Sequence, residues 1–275
     1  MKFKDVFSDK KANLIADKIA IGIDIGSTCA KTVVLDEQRQ IVYTDVQPTG
    51  WSSADTAAQI AEKLNCAGYA ADKNPVVATG YGRICVPYAK KTVTEITCHG
   101  KGAVFLHGAD ALTVIDIGGQ DTKVIHVLSG VVDNFLMNDR CSAGTGRFLE
   151  VMANTLGMAP DDLCRLSAQG SNTTISSLCT VFAESEVTGL IGRGEPRENI
   201  AFAVVDSIAE KVASQIGKLS APSQSLCLTG GLCGCRELVE ALERKLNCPI
   251  QTHSQGRFAG AIGAALTALA IKEEL

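Results

Sequence analysis

The feature that most constrains the fold of this chain is an internal repeat. The tetrapeptide Ile-Asp-Ile-Gly occurs at residues 23–26 and again at residues 115–118. In both copies a lysine, Lys31 or Lys123, follows the aspartate by seven residues. A match that extends beyond the tetrapeptide indicates a duplicated structural unit.

Each copy has the pattern of a β-hairpin. An apolar run at 19–25 precedes a Gly-containing turn and a second apolar run at 32–35, and the same order appears at 112–117 and 124–127. β-branched residues favour strands, and Gly allows the turn between them. Since helical patterns follow each hairpin, the repeat predicts an α/β protein with two similar domains.

The two repeated aspartates each end a strand beside a Gly turn, a position suited to nucleotide phosphates. Small residues there let a phosphate chain approach backbone N–H groups, while the carboxylate can hold Mg²⁺ or orient water. Asp24 and Asp116 are therefore the leading catalytic candidates, joined by Gln120 and Asp121 after the second turn. Ordinary strand capping and turn formation are the competing interpretation.

With one such turn in each domain, the phosphates would lie in the cleft between the domains. The paired turns and a later Thr-Gly-Gly turn at residues 229–231 resemble the phosphate and adenosine loops of the duplicated actin/Hsp70/sugar-kinase fold. A Walker A loop is excluded, because residues 26–32 lack the Gly that precedes its lysine. The predicted nucleotide-binding residues are Gly26, Ser27, Thr28, Lys31, Gly118, Gly119, Gly230 and Gly231.

Two cysteines, Cys141 and Cys179, each precede a helical pattern. A thiolate at a helix N-terminus faces free backbone N–H groups and the positive end of the dipole, which lowers its pKa and suits an anionic metal–sulfur cluster. Two thiolates cannot complete a four-Cys shell, but a two-fold dimer that contributes two from each subunit can. Buried or helix-capping cysteines remain the alternative.

Several motifs in the same order resemble the activator (component A) of 2-hydroxyacyl-CoA dehydratases, within the BadF/BadG/BcrA/BcrD ATPase family. The likeness covers about residues 19–270 and departs from the family at residues 232–236, Leu-Cys-Gly-Cys-Arg, next to the adenosine turn. Besides the two cysteine segments, the matching motifs are Ala-Thr-Gly-Tyr-Gly-Arg at 78–83, Glu-Ile-Thr-Cys-His at 95–99 and Asp-Ile-Gly-Gly-Gln-Asp at 116–121.

The resemblance implies that Cys141 and Cys179 bind one [4Fe–4S] cluster shared across a homodimer, and that the cleft binds ATP or ADP with Mg²⁺. Such a protein hydrolyses ATP and passes one electron from ferredoxin or flavodoxin to an iron–sulfur enzyme. The acceptor would be a 2-hydroxyacyl-CoA dehydratase, a benzoyl-CoA reductase-type enzyme or a double-cubane-cluster protein. Two alternatives stay open: a small-molecule kinase of the same fold, such as an N-acetylhexosamine kinase, and a nucleotide-regulated binding module.

Composition limits the remaining possibilities. The net charge of −4 and the lack of a basic run with interleaved aromatics argue against nucleic-acid binding. The N-terminus has no apolar h-region of a signal peptide, and the longest weakly polar stretch, residues 258–271, is too short to span a bilayer, so we expect a cytoplasmic protein without membrane contact. Eleven cysteines, an odd number, argue against a complete disulfide framework, and the close pair Cys233 and Cys235 could bind metal or oxidise.

The predicted domain plan places an N-terminal extension at 1–18, domain I at 19–110, domain II with the cluster cysteines at 111–256, and a closing helix at 257–275 that packs back on domain I. Helices are expected at 52–64, 200–219 and 237–246, and an exposed loop at 189–198. Arg83 and His99 could contact nucleotide or partner, or serve the structure alone.

Overall fold

The computed structural model describes residues 18–138, 141–176, 179–219 and 225–273, so the predicted extension falls almost wholly outside the described residues. The first half of the chain forms a five-stranded sheet with strand order β3-β2-β1-β4-β5. Its strands are β1 (Ala20–Ile25), β2 (Cys29–Leu35), β3 (Ile41–Pro48), β4 (Val76–Thr79) and β5 (Lys91–Thr92).

A second five-stranded sheet repeats the first one strand for strand. Its order is β10-β9-β6-β7-β8. The strands are β6 (Leu112–Ile117), β7 (Thr122–Leu128), β8 (Val131–Asn138), β9 (Ser225–Gly230) and β10 (Ile250–Thr252). In each sheet the central strand, β1 or β6, is antiparallel to its hairpin partner and parallel to the strand on its other side. Both predicted hairpins are therefore confirmed, and each is extended by a third strand.

The register of the hairpins explains the repeated spacing of aspartate and lysine. Asp24 lies opposite Lys31 across the first hairpin, and Asp116 lies opposite Lys123 across the second. Every residue of β1 and β6 is buried, so a slip of one residue would disturb both faces of the sheet. The conserved spacing within the chain thus fixes which residues end each central strand.

Eight helices cover the two sheets in the described part of the chain. They are α1 (Ser53–Cys66), α2 (Glu95–His107), α3 (Gly146–Thr155), α4 (Pro160–Ser167), α5 (Thr180–Gly192), α6 (Arg197–Ile216), α7 (Arg236–Leu246) and α8 (Ala259–Glu273). The Ser52 hydroxyl caps α1 by accepting from the Asp55 N–H, and Gly108 ends α2 in the left-handed region at φ +63°.

One predicted loop is wrong in extent. Residues 189–192 belong to the last turn of α5, and only residues 193–196 connect it to α6. The helix continues because Val187 and Leu190 are buried in the core, which offsets the weak helix preference of the glycines. The three helices predicted at 52–64, 200–219 and 237–246 are present, and their boundaries differ from the prediction by up to three residues.

Helices α2 and α8 cross between the two sheets with their backbones in contact. A Cβ on Gly102 would lie 1.9 Å from the Ala259 carbonyl oxygen, and one on Gly263 would lie 1.9 Å from that of Cys98. Only glycine fits at these two positions. The C-terminal helix α8 also packs on β1 and β4. The domain boundaries stay a prediction. None of the described helices is long and apolar enough to cross a membrane.

Candidate functional site

The aspartate ends of the two central strands open onto one cavity of about 460 Å³. A larger groove of about 740 Å³ beside α1 has one charged lining residue, Glu62, and no glycine turn, so we place the site in the smaller cavity. That cavity, the cleft, collects all the predicted catalytic and nucleotide-binding residues: Asp24, Gly26, Ser27, Thr28, Lys31, Asp116, Gly118, Gly119, Gln120, Asp121, Gly230 and Gly231.

The Gly turns of the two repeats have the same backbone structure. The Gly26 N–H donates to the Cys29 carbonyl at 3.1 Å, and the Gly118 N–H donates to the Asp121 carbonyl at 2.9 Å. The two turns meet across the cleft, because a Cβ on Gly119 would lie 2.0 Å from the Thr28 hydroxyl oxygen. The backbone of the second turn therefore lies against the Thr28 side chain of the first, so the backbone N–H groups of both Gly turns lie near one site, as phosphate binding requires.

A second duplicated element went unnoticed in the sequence. A Thr-Gly dipeptide stands at the end of β4 and again at the end of β9, and Gly80 and Gly230 both adopt positive φ, +83° and +89°. A Cβ on either glycine would lie within 2.8 Å of the carboxylate of Asp24 or Asp116. The signal was present as a repeated dipeptide, and its function is to let the chain pass beside each aspartate.

The electrostatics of the two repeats differ. The Asp116 carboxylate accepts from the Thr229 hydroxyl at 2.9 Å and lies 3.3 Å from Lys123 Nζ and 3.1 Å from His99 Nδ1. Burial alone would raise the pKa of Asp116, but the positive charges of His99 and Lys123 hold it well below its usual range. Asp116 is thus held as an anion.

The two equivalent lysines have different surroundings. Lys123 is buried, and its ammonium lies 2.6 Å from Asp121 and 3.7 Å from Glu95, in addition to Asp116. Although burial would lower the pKa of Lys123, these carboxylates raise it. Lys31 lines the cleft beside Gly26 and makes no ion pair with any residue that the structure describes. Its charge is available to a bound anion.

His99 connects the two repeats. This side chain on α2 is buried, with Nε2 3.8 Å from the Asp24 carboxylate and Nδ1 beside Asp116. Burial would lower the pKa of His99, but the two aspartates raise it. A Cβ on Gly260 of α8 would strike both Asp24 and His99, so α8 closes this contact from behind. Arg83 also lines the cleft, and its guanidinium donates to the Gly80 carbonyl at 2.9 Å.

Four residues that line the cleft were not predicted from the sequence. Leu149, Pro160, Leu232 and Arg257 line it together with Gly230 and Gly231. These residues come from four separate elements, which are α3, α4, the turn after β9 and the short 3-10 helix Gly256–Phe258, so no single sequence motif groups them. Only the Gly-Gly turn was visible as a signal.

The two predicted cluster cysteines lie in neighbouring segments. Cys179 is exposed at the N-cap of α5 and its side chain makes no capping hydrogen bond. Cys141 is half-buried, and a turn at 142–145 separates it from the start of α3. The prediction that Cys141 lies at a helix N-terminus is therefore wrong. The hydroxyls of Ser142 and Thr180 hydrogen-bond to each other at 2.8 Å, which brings together the residues that follow the two cysteines.

Helix α3 begins on the second Gly turn of the cleft. The Gly146 N–H donates to the Gly118 carbonyl at 2.9 Å, and the Arg147 N–H donates to the Gly119 carbonyl at 2.8 Å. These bonds satisfy two of the N–H groups that a helix N-terminus leaves unpaired. The helix that follows Cys141 is therefore hydrogen-bonded to the cleft. Across the described ranges, no group of three or more His, Cys, Asp or Glu side chains is arranged to hold a metal ion.

Comparison with known proteins agrees with this arrangement. The model of the BadF/BadG/BcrA/BcrD ATPase family matches residues 21–268. The chain belongs to this family. It is 41% identical over 254 residues to the (R)-2-hydroxyglutaryl-CoA dehydratase activating ATPase of Acidaminococcus fermentans, covering 90% of this chain and 96% of that protein.

Solved structures of family members superpose closely on this chain. The crystal structure of component A of the A. fermentans dehydratase has a TM-score of 0.87 at 39% identity and covers 93% of this chain and 99% of its own. The activator of 2-hydroxyisocaproyl-CoA dehydratase from Clostridium difficile, solved with bound ADPNP, has a TM-score of 0.86 at 36% identity, with coverage of 93% and 96%. A glucokinase of the ROK family from Streptomyces griseus shares the fold alone, at 13% identity and a TM-score of 0.59. The predicted duplicated fold is confirmed.

Proposed function

We propose that this chain is an ATP-dependent one-electron donor that activates an iron–sulfur enzyme, such as a 2-hydroxyacyl-CoA dehydratase. The observation that carries the proposal is the hydrogen-bonded path from the cleft to the cysteine pair, through α3 and the contact between Ser142 and Thr180. It is supported by the 41% identity to an activating ATPase. The fold shared with a glucokinase gives no specific support for a sugar kinase.

In the nucleotide half, Lys31 and the two Gly turns bind the phosphates of ATP. Carboxylate oxygens are the ligands that Mg²⁺ prefers, and Asp24 and Asp116 present them from both sides of the cleft. Asp121 forms an ion pair with Lys123 and so fixes the position of that lysine. The exposed side chain of Gln120 orients the attacking water. Catalysis here is positioning and electrostatic stabilisation.

In the cysteine half, Cys141 and Cys179 of two copies supply four thiolates. The donor set fits, because thiolates are the ligands of iron–sulfur clusters, and the exposed Cys179 sits where the first N–H groups of α5 favour a nearby anion. Val181 and Phe182, which follow it, are 66% and 68% exposed, an apolar surface that a second copy would cover. When bound, a [4Fe–4S] cluster supplies a one-electron redox centre.

The two halves are coupled through the backbone of the second Gly turn. A change at Gly118 and Gly119 on ATP hydrolysis moves the start of α3, and the Ser142–Thr180 contact carries that movement to α5. Coupling requires that nucleotide bind the two arrangements with different affinity. The electron would come from ferredoxin or flavodoxin in the cytoplasm, and residues 19–110 and 111–256 would move as the two domains.

The test uses single cysteine variants purified without oxygen. Cys141→Ser and Cys179→Ser should each lose iron and visible absorbance, since each removes two of four ligands from a dimer, while ADP binding is retained. The matched control is Cys66→Ser, an exposed cysteine on α1 that should keep the cluster. Full iron content in Cys141→Ser, or its loss in Cys66→Ser, would overturn the assignment.

A further inference from the structure

A second cavity, of about 410 Å³, adjoins the cleft beside the Thr-Gly-Gly turn. The two cavities share the lining residues Gly231, Leu232 and Arg257. Three thiols line the second cavity, and the proposed function uses none of them. They belong to Cys164, Cys233 and Cys235.

The thiols that meet in this cavity are not neighbours in sequence. Cys164 on α4 and Cys235 at the N-cap of α7 hydrogen-bond to each other, and Cys235 Sγ also lies 3.8 Å from a Glu237 carboxylate oxygen. Cys233 instead lies against Gly256. The close sequence pair Cys233 and Cys235 is therefore not the spatial pair.

The two paired thiols differ in exposure and in acidity. Cys164 is buried, whereas Cys235 is half-buried at the cavity wall. The shared hydrogen bond lowers the pKa of Cys235 and raises that of Cys164. A thiolate is the attacking form in disulfide exchange, so Cys235 is suited to react first and Cys164 second.

We propose that Cys164 and Cys235 form an intramolecular disulfide by exchange with a low-molecular-weight disulfide, and that this bond weakens nucleotide binding. The Cys235 thiolate attacks one sulfur of the oxidant, which forms a mixed disulfide and releases one thiolate. The Cys164 sulfur then attacks Cys235 Sγ and releases the second. The two cysteine protons end on the two released thiols, so the cysteines are oxidised and the oxidant is reduced.

The effect on nucleotide follows from the turn that joins the two cavities. A disulfide has an S–S length of about 2.05 Å, shorter than any thiol hydrogen bond, so its formation draws Cys235 toward α4. The Cys235 N–H donates to the Leu232 carbonyl at 3.0 Å, and the Cys233 N–H donates to the Gly230 carbonyl at 3.4 Å. Movement of Cys235 therefore reaches the turn that lines the cleft. This step rests on the proposed nucleotide site, whereas formation of the disulfide does not.

The experiment treats anaerobically purified full-length protein with glutathione disulfide and maps the alkylated peptides by mass spectrometry. We expect a Cys164–Cys235 link in the wild type and in the control Cys233→Ser, and none in Cys235→Ser. A stable glutathione adduct on Cys235, or a Cys233–Cys235 link, would overturn the proposal.

Binding of ADP tests the consequence. Oxidation should weaken ADP binding roughly tenfold in the wild type and in Cys233→Ser but not in Cys235→Ser, and dithiothreitol should restore it. By reciprocity, saturating ADP should make the midpoint potential of the disulfide about 30 mV more positive. A disulfide that leaves ADP affinity unchanged would refute the coupling. Failure of the reduced protein to bind ADP would instead contradict the proposed function and leave the disulfide standing.

Discussion

Replacing Asp116 with Asn should destabilise the protein far more than the same change at Asp24, although the repeat makes the two positions equivalent. Asp116 lies within 3.3 Å of both Lys123 and His99, whereas the ion pair of Asp24 is a 3.8 Å contact with His99. Removing one partner of a buried charge pair costs about 3–5 kcal/mol. Because Lys123 keeps Asp121 at 2.6 Å, we take the lower end, about 3 kcal/mol. For Asp24→Asn we expect about 1 kcal/mol or less.

Thermal unfolding of nucleotide-free protein, followed by circular dichroism, measures this difference. For a chain of this size, 3 kcal/mol corresponds to a decrease in Tm of about 6–12 °C. Since the folded-state pKa of Asp116 is depressed, its stabilisation is present above about pH 4 and is lost as the pH falls further. The difference in Tm between the wild type and Asp116→Asn should therefore disappear in that acid range. Equal losses at Asp24 and Asp116 would refute the asymmetry of the charge network.

Three further predictions follow from the cleft, the helix crossing and α5. Lys31→Met should weaken ATP binding by at least about tenfold with little change in Tm, whereas Lys123→Met should mainly lower Tm. If calorimetry showed that both variants lose the same affinity for ATP, the assignment of Lys31 would be contradicted. Gly263→Ala should lower the free energy of unfolding, measured in urea, by about 1–3 kcal/mol or more. Gly192 faces open space, so Gly192→Ala should not lower it. Phe182→Asp should leave a folded monomer in sedimentation experiments, and a stable dimer would exclude that face of α5 as the interface.

Much of the fold could be predicted because the repeat fixes hairpin register. The third strand of each sheet, β3 or β8, could not be predicted from the sequence. Their residues are mostly half-buried or exposed, since each strand forms a sheet edge and has no fully buried face to impose an alternating pattern.

The composition of the candidate site was readable, but its internal differences were not. Lys31 and Lys123 hold the same place in the repeat. Lys123 pairs with Asp121, where the first repeat has Cys29, and also with Glu95, which α2 brings in from elsewhere in the chain. In the same way, adjacency in sequence suggested Cys233 and Cys235 as a pair, while the packing of α4 against α7 pairs Cys235 with Cys164. The contacts made by Glu95 and by Cys164 are tertiary, and local patterns do not encode them.

Native mass spectrometry of the anaerobically purified protein measures whether two copies of this chain share one cluster held by Cys141 and Cys179. We expect a dimer whose mass exceeds that of two polypeptides by one [4Fe–4S] cluster, with the excess absent in Cys179→Ser. A monomer that carries a complete four-iron cluster would contradict it.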